Sequence, residues 1–190
     1  SRVHSLGLEP RYVHLANSAG LMRLPRAHFN LVRAGIMLYG MAPSAALVGA
    51  APWQPVLEWR ARVICVRDVP AGTAVGYGHT WRAHRPSRLA TLPVGYYDGY
   101  LQAYSNNGEV LIRGRRVPVV GRVSMDLTIV DVTDVPGVGV GDVATLLGRD
   151  GDEAITAEEL AGRRGTIPYE VTCAIGPRVR RVYVGAEGVS

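Results

Sequence analysis

Over residues 59–69 apolar and polar positions roughly alternate, with Arg60 and Arg62 on one side and Ala61, Val63 and Cys65 on the other. That period of two predicts a half-buried strand. Residues 88–94 predict a second strand, interrupted by Pro93 and closed by Gly95-Tyr-Tyr-Asp-Gly99. Residues 109–112 and 117–120 flank Arg113-Gly-Arg-Arg116 in the manner of a hairpin. Two more strands are predicted at 127–132 and 142–147, separated by the loop Pro136-Gly-Val-Gly-Val-Gly141. Thr156-Ala-Glu-Glu159 has the form of a capping box and predicts a short helix to about residue 163. Residues 169–175 fit a helix or a buried strand equally, and 178–184 read as a strand that closes the sheet.

The first third of the chain has a different texture. Residues 12–16 form a short apolar piece stopped by Asn17-Ser18, a pair suited to capping a turn or to hydrogen-bonding an anion. Residues 31–40 place Arg33 ahead of an apolar strand, and Gly35 and Ile36 can offer backbone N–H groups to a phosphate. Residues 34–57 carry no charge, long enough to raise a membrane span, but Pro43, Pro52, Pro55 and three glycines break any helix there. The expected layout is a strand-and-turn segment at 1–45, a linker at 46–55 and a mainly β domain over 56–190.

Composition narrows the chemistry. Hydrophobic residues at 47% and charged residues at 19% describe a globular chain, and abundant Gly and Pro beside a single Phe favour strands and turns. The net charge of +5 comes with no lysine at all, so every one of the 21 basic residues is arginine. These 190 residues therefore supply no lysine for a Schiff base to an aldehyde. Cys65 and Cys173 lie far apart and form no metal-ligand pattern, which points to buried thiols, no metal and a reducing cytoplasm. No leader of basic and apolar residues is visible.

One stretch stands out for chemistry. Tyr77 lies between Gly76 and Gly78, where the backbone can adopt conformations closed to other residues and approach another surface. A phenol titrates near pH ~10, so it serves as an acid or base near neutrality only in a site built for it.

Six motifs in order resemble those of alanine racemase. They are His14-Leu-Ala-Asn-Ser18; Val32-Arg-Ala-Gly-Ile36 with Leu38-Tyr-Gly40; Val75-Gly-Tyr-Gly-His-Thr80; Pro93-Val-Gly-Tyr-Tyr-Asp-Gly-Tyr100; Gly121-Arg-Val-Ser-Met-Asp126; and Ile167-Pro-Tyr-Glu-Val171. The resemblance implies a mainly β, barrel-like C-terminal domain, preceded by the last strand and turn elements of a truncated (β/α)8 barrel that holds pyridoxal 5'-phosphate. It also implies a head-to-tail homodimer, or a complementary barrel segment, and L- and D-alanine as substrates feeding peptidoglycan.

Racemisation at an α-carbon needs an electron sink and proton exchange on both faces. The coenzyme is the sink and the protein supplies the bases. The resemblance gives one base to the coenzyme's lysine, which this chain lacks, and maps the opposite one onto Tyr77. It maps Met125 onto the position whose backbone binds the substrate carboxylate, and Asp126 and Tyr96 onto the active-site entrance. Ser18, Gly35, Ile36 and Tyr169 match phosphate contacts, and Arg33 matches the residue facing the pyridine nitrogen. Ala34, Ser124 and Pro168 depart from residues usual in the family. The expectation is half a site, inactive alone. Two rivals remain: a nucleic-acid-binding β domain using Arg113, Arg115 and Arg116, and a purely structural dimerisation module. The first is disfavoured because the arginines are dispersed.

Overall fold

The structure, a computed structural model, describes residues 5–185. It divides into two compact units, Ser1–Leu57 and Glu58–Ser190. In the first, helix α1 (Ser18–Arg23) starts at Asn17, whose side chain accepts the Gly20 N–H at 3.0 Å. His14 and Leu31 form a parallel bridge, and Arg33 N–H donates to the Ala16 carbonyl at 2.8 Å. The apolar strand expected over 31–40 is not formed. Ile36–Tyr39 is a 3-10 turn, ended by Gly40 in the left-handed region at φ 70°. A side chain at Gly40 would overlap the Gln54 carbonyl, 1.8 Å from an added Cβ, so chain return rather than pairing decides this run. Within 46–55, Leu47 of the 3-10 turn Ala45–Ala50 is buried and accepts the Trp53 indole N–H at its carbonyl.

The second unit is antiparallel throughout. Its strands are β1 (Trp59–Arg62), β2 (Cys65–Val69), β3 (Ala74–Val75), β4 (Trp81–Arg82), β5 (Ser87–Leu92), β6 (Glu109–Ile112), β7 (Arg115–Pro118), β8 (Thr128–Asp131), β9 (Val143–Asp150) and β10 (Glu153–Ile155). One sheet runs β1-β9-β6-β7 with β10 paired to β9, a second β2-β5-β8, and β3 and β4 pair as a small hairpin. Val110, Leu111, Ile112, Ala144 and Leu146 fill the core with essentially no exposure, and Tyr100 and Tyr104 stack beside them with centroids 4.6 Å apart. The β6–β7 turn is Arg113-Gly114 with φ of 53° and 70°, the left-handed pair that matches strand twist in a two-residue hairpin.

Two expectations about strands need correction. Residues 59–69 are two strands in different sheets, because the chain changes partner at Val63 and Ile64: Val63 N–H bonds Asp142 and Ile64 N–H bonds Thr91. Residues 178–184 form no strand. Arg181 binds the carbonyls of Ile175, Gly176 and Val179, while Val182, Tyr183 and Val184 are exposed. Arg178 and Arg181 direct their side chains to carboxylates and carbonyls of neighbouring turns instead of flanking a sheet edge. Residues 169–175 resolve as helix α3 (Pro168–Ala174), with proline at its first turn, where its missing N–H costs nothing. Helix α2 (Ala157–Arg164) is capped by Thr156, which accepts the Glu159 N–H, but the Glu159 carboxylate turns to Arg116 and Arg163.

That turn builds an ion cluster in which Arg116 contacts Glu109, Glu153 and Glu159. Burial pushes the Glu159 carboxyl up, but hydrogen bonds from Arg116 and Arg163 outweigh it and hold it below its ordinary 4.5. A carboxyl depressed in the folded state stabilises fully above its unfolded value and loses that contribution as pH falls. Folding stability is therefore expected to hold from neutral pH down to about 5 and to decline below the ordinary 4.5 of Glu159. Denaturant titrations across pH check this, and Glu159→Gln should flatten the acid limb. The same cluster occupies Arg116, Asp142 pairs Arg113, and Arg115 reaches the Asp134 carbonyl. The basic turn that suggested nucleic acid is thus engaged internally.

Candidate functional site

Tyr77 begins a 3-10 turn, Tyr77–His79, at the tip of the β3–β4 hairpin. Gly76 and Gly78 both have φ of 70° and His79 has 49°, so the tip runs through three left-handed residues. The phenol is 74% exposed and makes no hydrogen bond among the described residues. Behind it the hairpin lies close against 121–122. A Cβ on Gly121 would sit 2.8 Å from the Val75 carbonyl oxygen, and one on Gly76 would sit 3.1 Å from Arg122 N. The Arg122 side chain reaches under the tip, its Nε 3.5 Å from a Cβ placed on Gly78.

Tyr96, Met125 and Asp126 come together on two facing turns. The 3-10 turn Tyr96–Asp98 is tied by the Asp98 carboxylate, which accepts the Gly95 N–H at 3.0 Å. Tyr96 N–H donates to the Ser124 carbonyl and Tyr97 N–H to the Met125 carbonyl, at 3.0 and 3.1 Å. Arg178 spans both turns: Nε and Nη2 bind the two oxygens of Asp98 at 2.8 and 2.9 Å, and Nη1 binds Asp126 at 2.7 Å. Its guanidinium also lies 4.7 Å from the centre of the Tyr97 ring, within cation–π range. Burial raises the Asp98 carboxyl, but Arg178 and the Gly95 amide outweigh that and keep it below its ordinary value. Asp98 is 5% exposed, so Arg178→Ala strands a buried charge and is expected to cost about 3 kcal/mol. Chemical denaturation measures the loss.

Ser18, Gly35 and Ile36 meet in the first unit. The buried Ser18 hydroxyl accepts the Gly35 N–H at 2.8 Å, which leaves its own proton to donate, and Ile36 opens a 3-10 turn where leading N–H groups lack acceptors within the turn. The Ser18 hydroxyl and the Ile36 N–H are the donors that fit an oxyanion, whereas the Gly35 N–H expected to join them is taken by Ser18. Arg33 is exposed and donates from Nη2 to the Leu15 carbonyl at 3.3 Å. Tyr169 lies on α3 of the second unit, partly exposed. Sequence reasoning missed Asp98, Arg178, Ser105 and Asn106. Of these only Asp98 lay inside a motif, and Arg178 had been assigned to a strand.

Solved structures of high similarity set the class first: a β-rich domain of an amino-acid racemase. The alanine racemase of Streptomyces lavendulae matches with a TM-score of 0.92 at 37% identity, over 97% of this chain and 49% of that one. That of Bacillus anthracis with bound L-Ala-P matches with a TM-score of 0.87 at 39% identity, over 93% and 46%. A model described as the alanine racemase C-terminal domain matches residues 56–183, and one for the N-terminal domain matches 1–43. The chain belongs to the alanine racemase family. It is 52% identical to the alanine racemase of Syntrophobacter fumaroxidans over 86% of this chain and 44% of that protein. For Sorangium cellulosum the figures are 47%, 96% and 48%. The chain spans about half the length of the curated relatives it matches.

Proposed function

We propose that this chain supplies one side of an alanine racemase site, interconverting L- and D-alanine and so furnishing D-alanine for peptidoglycan in the cytoplasm. Tyr77 carries the reading: a phenol on a glycine-bracketed tip, 74% exposed and with no hydrogen-bond partner among the described residues, is placed to serve a second surface. Its Oη removes the α-proton of L-alanine or returns one to that face. The surface it serves belongs to a barrel, in a homodimer partner or a complementary segment. Met125 presents its backbone to the substrate carboxylate, and Tyr96 and Asp126 frame the entrance, all three held by Arg178 and the paired turns.

Pyridoxal 5'-phosphate, when bound, withdraws electron density from the α-carbon and makes its proton acidic. The Ser18 hydroxyl and the Ile36 N–H fit its phosphate as donors, and Gly35, whose own N–H is taken by Ser18, orients that hydroxyl. Arg33 would hydrogen-bond the ring nitrogen without protonating it, because a guanidinium gives up no proton near neutral pH. The covalent anchor must come from outside these 190 residues, since they hold no lysine. Among the described residues no helix is long and apolar enough to cross a membrane. The test adds pyridoxal phosphate to these residues with and without a lysine-bearing barrel segment, following absorbance of the covalently held coenzyme and D-alanine formation. Both signals are expected only with the barrel. Racemisation by the 190 residues alone would refute the division of labour.

A further inference from the structure

A base works only where it is aimed, and among the described residues Tyr77 makes no side-chain hydrogen bond that aims it. Its hairpin has just two residue pairs, Ala74 with Arg82 and Val75 with Trp81. Packing holds one side of that hairpin, where Val75 and Trp81 rest with Leu89, Val120 and Ile129. That packing is incomplete, because a cavity of about 220 Å³ lined by Thr73, Ala74, Val75 and Gly76 opens among the same contacts, Leu89 and Ile129 included. Something besides packing must fix the tip.

The neighbouring turn provides it. Asn106 sits in the left-handed region at φ 54°. Its Oδ1 accepts the Gly121 N–H at 2.7 Å, and its Nδ2 donates to the Thr80 hydroxyl at 3.1 Å, three residues beyond Tyr77. The preceding residue acts in parallel: Ser105 Oγ accepts the Val123 N–H at 3.0 Å. Consecutive side chains thus capture alternate N–H groups of the segment leading to Met125 and Asp126, and one of them also grips the Tyr77 hairpin.

We infer that Ser105 and Asn106 form a clamp that sets the Tyr77 tip against the 121–126 segment, making Asn106 a positioning residue for racemisation. The inference rests on the Tyr77 reading above. Asn106 touches no reacting atom. It acts by holding proton-transfer and carboxylate-binding elements in one frame, where an error of an ångström costs up to about 10²-fold in rate.

The test uses cofactor-loaded, full-length enzyme. Asn106→Gly removes both bonds while glycine accepts the left-handed backbone without strain. Thr80→Val cuts only the hairpin half and disturbs no unusual backbone, so it decides the matter where the glycine variant folds poorly. Asn106→Asp keeps an acceptor for Gly121, and the Thr80 hydroxyl can turn to donate to its other oxygen. Turnover is expected to fall about tenfold in Thr80→Val and further, toward about 10²-fold, in Asn106→Gly, with KM nearly unchanged. Asn106→Asp should recover most of the loss. The primary isotope effect should rise with α-deuterated L-alanine, whose proton Tyr77 removes, and fall with α-deuterated D-alanine. A purely structural role would lower turnover and stability together without separating the two isotope effects, and that result overturns the clamp. Parent-like rates in both variants, beside an inactive Tyr77→Phe, overturn the clamp and leave the tyrosine reading standing. An active Tyr77→Phe removes the reading and the clamp with it.

Discussion

Tyr77→Phe is expected to lower racemisation by about 10³-fold, within the 10²–10⁴ that a positioned acid–base group contributes. The substitution deletes one oxygen from a ring that is 74% exposed, so folding should stay within about 0.5 kcal/mol of the parent. Loss of rate without loss of stability is the signature. A second readout distinguishes the missing base from a damaged site. With the opposite base intact, D-alanine should still exchange its α-proton with deuterated solvent while almost no L-alanine forms. Parent-like racemisation in the variant would leave only a structural dimerisation module.

Gly95→Ala is expected to destabilise the protein by about 3 kcal/mol, from overpacking together with two weakened hydrogen bonds. The cause is space and not backbone conformation. At φ −150° and ψ −161° Gly95 is extended, which any residue tolerates. Its added Cβ, however, would lie 2.2 Å from the Ser124 carbonyl oxygen and 2.4 Å from that of Met125. Those oxygens accept the N–H groups of Tyr96 and Tyr97, so relieving the overlap pulls apart the two turns that carry Tyr96, Met125 and Asp126. Denaturant melts should show the loss, and KM for alanine should rise in the assembled enzyme. A variant as stable as the parent would mean the turns part freely, and Arg178 alone would then hold the entrance.

The hairpin form around Arg113–Arg116 and the alternation of residues 127–132 reported β6 and β8 correctly, and Thr156 marked the start of α2, because each signal is local: a turn, a side-chain period or a cap reads its own few residues. Partner exchange at Val63 escaped notice since a strand looks the same whichever sheet it joins. Arg178 was misread for a related reason. Its spacing from Arg180 mimics one face of a strand, while its true partners, Asp98 and Asp126, lie 80 and 52 residues away. Asn106 drew no attention, as Ser105-Asn-Asn-Gly108 reads as an ordinary polar turn.

From the order of residues alone came the family resemblance, the lack of any lysine, and Tyr77 between two glycines, since identity and local spacing are written in the chain. Folding alone decided that the phenol stands in solvent, that Gly95 admits no side chain, and that Asn106 and Arg178 bind the turns together. Those facts depend on contacts between distant segments, whose geometry exists only once the sheets have paired and the core has closed.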